Sequence, residues 1–205
     1  IIVTPIVSIA AGAVVAYVVG PYIAIFTEWL GNLININVDK HPFIGGIVIS
    51  VSMGMFLTLP ISSAAIGIML GLSGLASGAA TIGCCCQMVG FAVMSFKENK
   101  IGGLISQGIG TSMLQMPNII RHPQIWIPPI LSSAILAPVS TMVFKMVSNP
   151  VGSGMGTSGL VGQFSAYAVM VGAGTHPATA VIQIMAMHFI LPALVTYVIA
   201  YGMRK

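Results

Sequence analysis

The sequence predicts an all-α polytopic membrane protein, and three observations carry that prediction. Of 205 residues, 57% are hydrophobic and only 5% are charged, far below the charged share of a soluble domain. The charges, from Glu28 and Asp39 to Arg204 and Lys205, bound apolar runs long enough to cross a bilayer. Glycine and proline punctuate those runs, with 24 and 12 copies, which predicts broken and re-entrant segments as well as full crossings. The expected architecture is about six spanning helices with a re-entrant hairpin and a Gly-rich loop.

Taken in order, residues 1 to 27 read as one apolar helix ending at "FTEWLGN", where Glu28 marks water and Trp29 the interfacial belt. "LININVDKH" reads as a polar loop. Residues 43 to 96 are apolar for too long to be one span, and Pro60 with "GLSGLASGAA" divides them near 43 to 59, 61 to 76 and 77 to 96. The middle piece is short and opens "PISSAA", as a broken or re-entrant helix would. "KENK" at 97 to 100 is a loop. Residues 101 to 119, "IGGLISQGIGTSMLQMPNI", are too polar and glycine-rich for a lipid-facing span and read as a re-entrant hairpin. A span follows over 124 to 147, opening "QIWIPPI" with Trp126 at the interface. An apolar stretch then runs to Gly174, and a last span covers 178 to 203. His41-Pro42, His122-Pro123 and His176-Pro177 each precede an apolar helix, as helix-start prolines do. His122, beside Arg121 and the polar hairpin, is the pair with a second reading.

The net charge of +4 comes from scattered residues without interleaved aromatics, so no nucleic-acid surface is expected. The basic residues read as topology signals: Lys97, Lys100, Arg204 and Lys205 belong on the cytoplasmic side. No signal peptide is visible, and because the chain opens inside an apolar helix an N-terminal portion is expected to precede it. Cys84, Cys85 and Cys86 are adjacent. Consecutive helical residues diverge, so they cannot converge on one metal and read as small apolar filler. No cofactor or metal is expected. No Ser/His/Asp constellation forms, since Glu28, Asp39 and Glu98 lie at apparent membrane boundaries.

"SNPVGSGMGTSGLVGQ" at 148 to 163 contains G-x-G-x-x-G, but no strand precedes it and no acid follows it, so a dinucleotide loop is excluded. Two readings stay open: close helix packing through small residues, or a loop entered through Asn149-Pro150 whose amides, with Gly156, Thr157, Ser158 and Gln163, line a solute site. Thr111, Ser112, Gln115, Asn118 and His122 form a second polar cluster. They either satisfy the hairpin's own backbone or line a hydrated site. Thr58, Ser62 and Ser63 beside Pro60 form a third, since broken helices with hydroxyls mark transporter sites. His188 is an ionisable group in the last span with no intramembrane carboxylate to pair with.

The succession "IIVTPIVSIAAGAVVAYVVGPYIA", "FLTLPISSAA" and "KENKIGGLISQGIGTSMLQMPNIIRHPQIWIPPILSSA" resembles the membrane-embedded enzyme IIC of the sugar phosphotransferase system, fructose-type branch. "NPVGSGMGTSGLVGQ" resembles its second enzyme IIC sub-family, which includes proteins called perfringolysin or toxin regulators. The resemblance covers most of the chain and implies one enzyme IIC-like transmembrane domain in the bacterial cytoplasmic membrane. It further implies a homodimer, and a sugar permease whose substrate is phosphorylated by an enzyme IIB partner. In such permeases a hairpin glutamate meets the sugar; the position resembling it here is Ser112. Thr58, Ser62 and Ser63 stand where acidic, amide and lysine groups are expected. A serine cannot match the paired acceptors of a carboxylate. Ordinary hexose transport therefore has two rivals: a non-transporting membrane sensor with a permease fold, and a transporter of a non-sugar solute.

Overall fold

The computed structural model describes residues 3 to 204; Lys205 lies outside them. Among the described residues the elements are helical and no strand forms, only a single bridge between Gly74 and Ser148. Helix α1 spans Val3–Lys40, α2 Pro42–Thr58, α3 Ser63–Met69, α4 Gly74–Met94 and α5 Phe96–Ile105. Then come α6 at Met116–Arg121, α7 at Ile127–Pro138, α8 at Pro150–Ser153, α9 at Val161–Gly172, α10 at Pro177–Met185 and α11 at Leu191–Met203.

Three stretches among the described residues are long and apolar enough to cross a membrane: Gly74–Met94, Pro123–Phe144 and Pro177–Met203. The shorter apolar helix Pro42–Thr58 joins them. The last two long stretches are continuous through wider π turns, Val139–Phe144 after α7 and Ala186–Ile190 between α10 and α11. Such turns absorb an extra residue without ending a helix.

Helix α4 is the spine. All residues from Ala76 to Ala92 are buried, and α2, α7 and α11 pack around it. Its approach to α2 depends on paired glycines. A Cβ on Gly83 would lie 1.8 Å from the Ser50 carbonyl oxygen, and one on Gly54 would lie 2.7 Å from that of Gly83. Membrane helices, lacking a strong hydrophobic drive between them, gain their contacts from such close backbone approach. Much of the apolar surface of α1, α10 and α11 is left outward, including Tyr17, Ile182 and Val198, as a lipid-facing shell requires.

Two sequence expectations are corrected. The polar loop at "LININVDKH" is helical, because α1 continues to Lys40. No helix breaker intervenes before Pro42, and the amides find partners without leaving the helix. Asn37 Nδ2 donates to the Leu33 carbonyl at 2.7 Å, while Asn35 donates to the Gly71 carbonyl at 3.0 Å and accepts from the Ser73 amide at 3.2 Å. "KENK" is likewise not a loop but the start of α5, interrupted only at Lys100, whose φ of 50° and ψ of -149° bend the chain. Elsewhere the expected break after Thr58 is present, and α2, α10 and the one-turn helix at Pro123–Trp126 begin at the prolines of the three His-Pro pairs.

Candidate functional site

The site is assembled on one side of α4. Ser77, Thr81 and Cys84 recur at helical spacing along it and meet the segment that contains α8. Ser77 Oγ donates to the Asn149 carbonyl at 2.6 Å, Thr81 Oγ1 to that of Gly152 at 3.2 Å, and Cys84 Sγ to that of Ser153 at 3.5 Å. Asn149 caps α8 by accepting the Gly152 amide at 2.9 Å. The glycine loop that follows is pressed against the spine. Gly156 has φ of +51°, and a Cβ there would stand 2.7 Å from that of Cys84. A Cβ on Gly162 would stand 2.2 Å from the Gly156 carbonyl oxygen. Only glycine combines that backbone with that proximity.

The loop also ties the other two polar segments together. Ser63, at the start of α3, donates to the Gly154 carbonyl at 2.6 Å. Thr157 Oγ1 donates to the Gly108 carbonyl and Ser158 Oγ to that of Gly110 at 2.9 Å, both in the hairpin. Thr58 Oγ1 and Ser112 Oγ lie 3.0 Å apart and are fully buried. The α2 break, the hairpin and the glycine loop, separate in sequence, are therefore one hydrogen-bonded body around α4.

Other predicted site residues have local roles. Ser62 Oγ accepts the Ala65 amide at 3.3 Å and caps α3, and Thr111 Oγ1 accepts that of Met113 at 3.2 Å. Gln163 on α9 turns away from the hairpin: its Nε2 lies 3.0 Å from Nδ1 of buried His188 and 3.6 Å from Cys85 Sγ. It also lines an apolar groove of about 380 Å³ with Phe164, Tyr167 and Ile184. The three cysteines are buried and free, and no group of three or more metal-ligating side chains occurs among the described residues.

Gln115, Asn118 and His122 share a cavity. It is about 330 Å³ and is also lined by Phe91, Ser95, Glu98, Asn99, Ile125 and Arg204, a volume at the small end of ligand pockets. An amide relay links three of its lining residues, Asn118, Gln115 and Ser95, through buried Gln107 behind them. Asn118 Nδ2 donates to Gln115 Oε1 at 3.0 Å, Gln115 Nε2 to Gln107 Oε1 at 2.8 Å, and Gln107 Nε2 to Ser95 Oγ at 3.0 Å. Each amide is thereby held in one orientation. At the mouth, half-exposed Glu98 and Arg204 face each other at 3.7 Å, and Arg204 also donates to the Met94 carbonyl at 3.0 Å.

Sequence reasoning missed Gln87, Ser95, Glu98, Asn99 and Gln107. Gln87 carried a usable signal: it is the sole amide in the apolar span Gly74–Met94, and a polar group in such a span requires a partner. Its partners are remote. Gln87 Oε1 accepts the indole Nε1–H of Trp126 at 2.9 Å and the Thr58 hydroxyl at 3.3 Å. The indole N–H of Trp126, near the start of the span Pro123–Phe144, is thus directed at the spine.

A helical membrane body whose broken segments border an open, amide-lined cleft fits the class of solute permeases. More particularly, the family described as "Phosphotransferase system, EIIC" matches residues 1 to 205, and the chain belongs to it. It is a membrane protein with sugar-permease-like transport, in a system where the substrate is a sugar and the partner is an EIIB component. No curated protein and no solved structure matches the chain.

Proposed function

We propose that the transported sugar binds in the cavity formed by Gln115, Asn118 and His122 with Ser95, Glu98 and Asn99. The observation that carries this reading is the relay Asn118–Gln115–Gln107–Ser95, three of whose members line the cavity. Pre-oriented amides supply the donors and acceptors that a polyol needs. Glu98 supplies a carboxylate in the same cavity. It offers the paired acceptors that Ser112 lacks, which favours a sugar over a less polar solute.

In this reading Thr58, Ser63, Ser112, Thr157 and Ser158 hold the three segments in register, and Gly156 and Gly162 allow the loop to approach α4. Ser62 and Thr111 cap the short helices flanking the site. The cavity mouth faces the cytoplasm, where an EIIB-type partner delivers the phosphoryl group. Support comes from the clustering at that end of Lys97 and Arg204, which line one adjoining cavity, with Lys100 close by in the same helix. The working unit is a homodimer.

The test is uptake of labelled sugars by vesicles carrying the protein, with and without Gln115→Ala combined with Asn118→Ala. Loss of uptake, and of sugar-induced thermal stabilisation, is expected in the double variant. Wild-type uptake by the folded double variant would overturn the placement.

A further inference from the structure

Gln87 is an unusual occupant of a membrane span. It is fully buried, and its carbonyl oxygen already takes two donors, Trp126 Nε1–H and Thr58 Oγ1–H. An indole nitrogen can only donate. The amide must therefore present oxygen to Trp126, and its Nε2 is turned the other way. That nitrogen has no hydrogen-bond partner among the described residues. An unmatched buried amide donor costs on the order of 1–3 kcal/mol, so two side chains hold Gln87 in the orientation that leaves its donor free.

Two hydroxyls and an aromatic ring surround the amide. Thr58 and Ser112 place two hydroxyls, 3.0 Å apart, beside the same amide, and Trp126 adds an aromatic surface with an anchored edge. Gln87, Thr58, Ser112 and Trp126 do not line the cavity described above but lie behind its wall. Phe91, one helical turn beyond Gln87 on the same face of α4, lines that cavity, as does Ile125, the neighbour of Trp126.

We propose that Gln87, oriented by Trp126 and Thr58, is a specificity-determining donor on the sugar's path. Its free Nε2–H donates to a hydroxyl oxygen of the solute at an inner station beyond Phe91, flanked by the Thr58 and Ser112 hydroxyls. The inference rests on the reading of the cavity as the sugar site, and assigns to Gln87 the choice among sugars differing at one hydroxyl.

The chain has two tryptophans, and Trp29 is exposed on α1, so Trp29→Phe leaves Trp126 as a sole reporter. The experiment titrates this protein in lipid nanodiscs with hexoses, hexitols and their monodeoxy analogues, following Trp126 emission and thermal stability. A saturable emission change is expected for at least one sugar. One deoxy analogue should bind about tenfold more weakly, as loss of one buried hydrogen bond implies. In Gln87→Met the parent sugar should weaken by the same factor and no longer be distinguished from that analogue.

If Gln87→Met weakens all ligands equally while discrimination persists, Gln87 is structural and the inference falls. Should Gln87→Met fail to fold, the single-tryptophan protein still decides: a sugar that stabilises it without changing Trp126 emission overturns the inner station. That result, with binding still abolished by the Gln115 and Asn118 double substitution, leaves the cavity reading standing. Absence of any response, thermal or optical, overturns both.

Discussion

Ser63 Oγ lies 2.6 Å from the carbonyl oxygen of Gly154, 91 residues further along the chain. This contact joins the helix that follows the Pro60 break to the glycine loop. Both groups lie in a buried region where no water replaces a lost partner. Ser63→Ala should lower stability by about 1 kcal/mol, read as a lower thermal midpoint in detergent, whereas Ser62→Ala removes only an exposed cap and should cost less.

The close contact of α2 with α4 makes Gly83 intolerant of any side chain. Gly83→Ala would force its Cβ to 1.8 Å from the Ser50 carbonyl. A backbone atom cannot yield as a flexible side chain can, so a loss of about 3 kcal/mol or failure to fold is expected. Gly172→Ala, with nothing within 4 Å of the added carbon, is the control, and thermal unfolding of the two variants side by side checks the contrast.

Gln163 and His188, from α9 and the π turn before α11, lie 3.0 Å apart. A double-mutant cycle with Gln163→Leu and His188→Phe should give a favourable coupling of about 0.6 kcal/mol, the usual scale for hydrogen bonds between membrane helices. Additive effects on the unfolding free energy would mean that the two side chains do not interact.

Cys84, Cys85 and Cys86 are fully buried within the spine. Buried thiols in apolar surroundings are inert. In the native protein a maleimide reagent should leave all three unmodified by mass spectrometry, while all three react after denaturation. Labelling of any one in the folded protein would show that α4 is accessible.

Much of the helical plan was legible because hydrophobicity, proline position and charge are local signals. The break after Thr58, the irregular helical turns between Ser106 and Gln115 and the final span lie where those signals place them. The reading failed at "LININVDKH" for a tertiary reason: Asn35 reaches the Gly71–Ser73 turn across 36 and 38 positions, so a polar stretch remains helical. Ser112, Gln115 and Asn118 were identifiable as buried or clustered polar residues, but nothing local distinguished the hydroxyls that bind backbone carbonyls from the amides that line a cavity.

By itself the sequence determined that this is a helical membrane protein, because the bilayer's demands on apolar length and backbone pairing act along the chain; the EIIC family was legible only as a resemblance of particular motifs. Only the tertiary structure decided that "GMGTSG" packs against Cys84 and binds the hairpin through Thr157 and Ser158. It alone decided that Gln87 meets Trp126, and that Gln115, Asn118 and Glu98 share one cavity. Those relationships depend on how α4 brings remote segments within hydrogen-bond distance, and sequence spacing carries no record of that proximity.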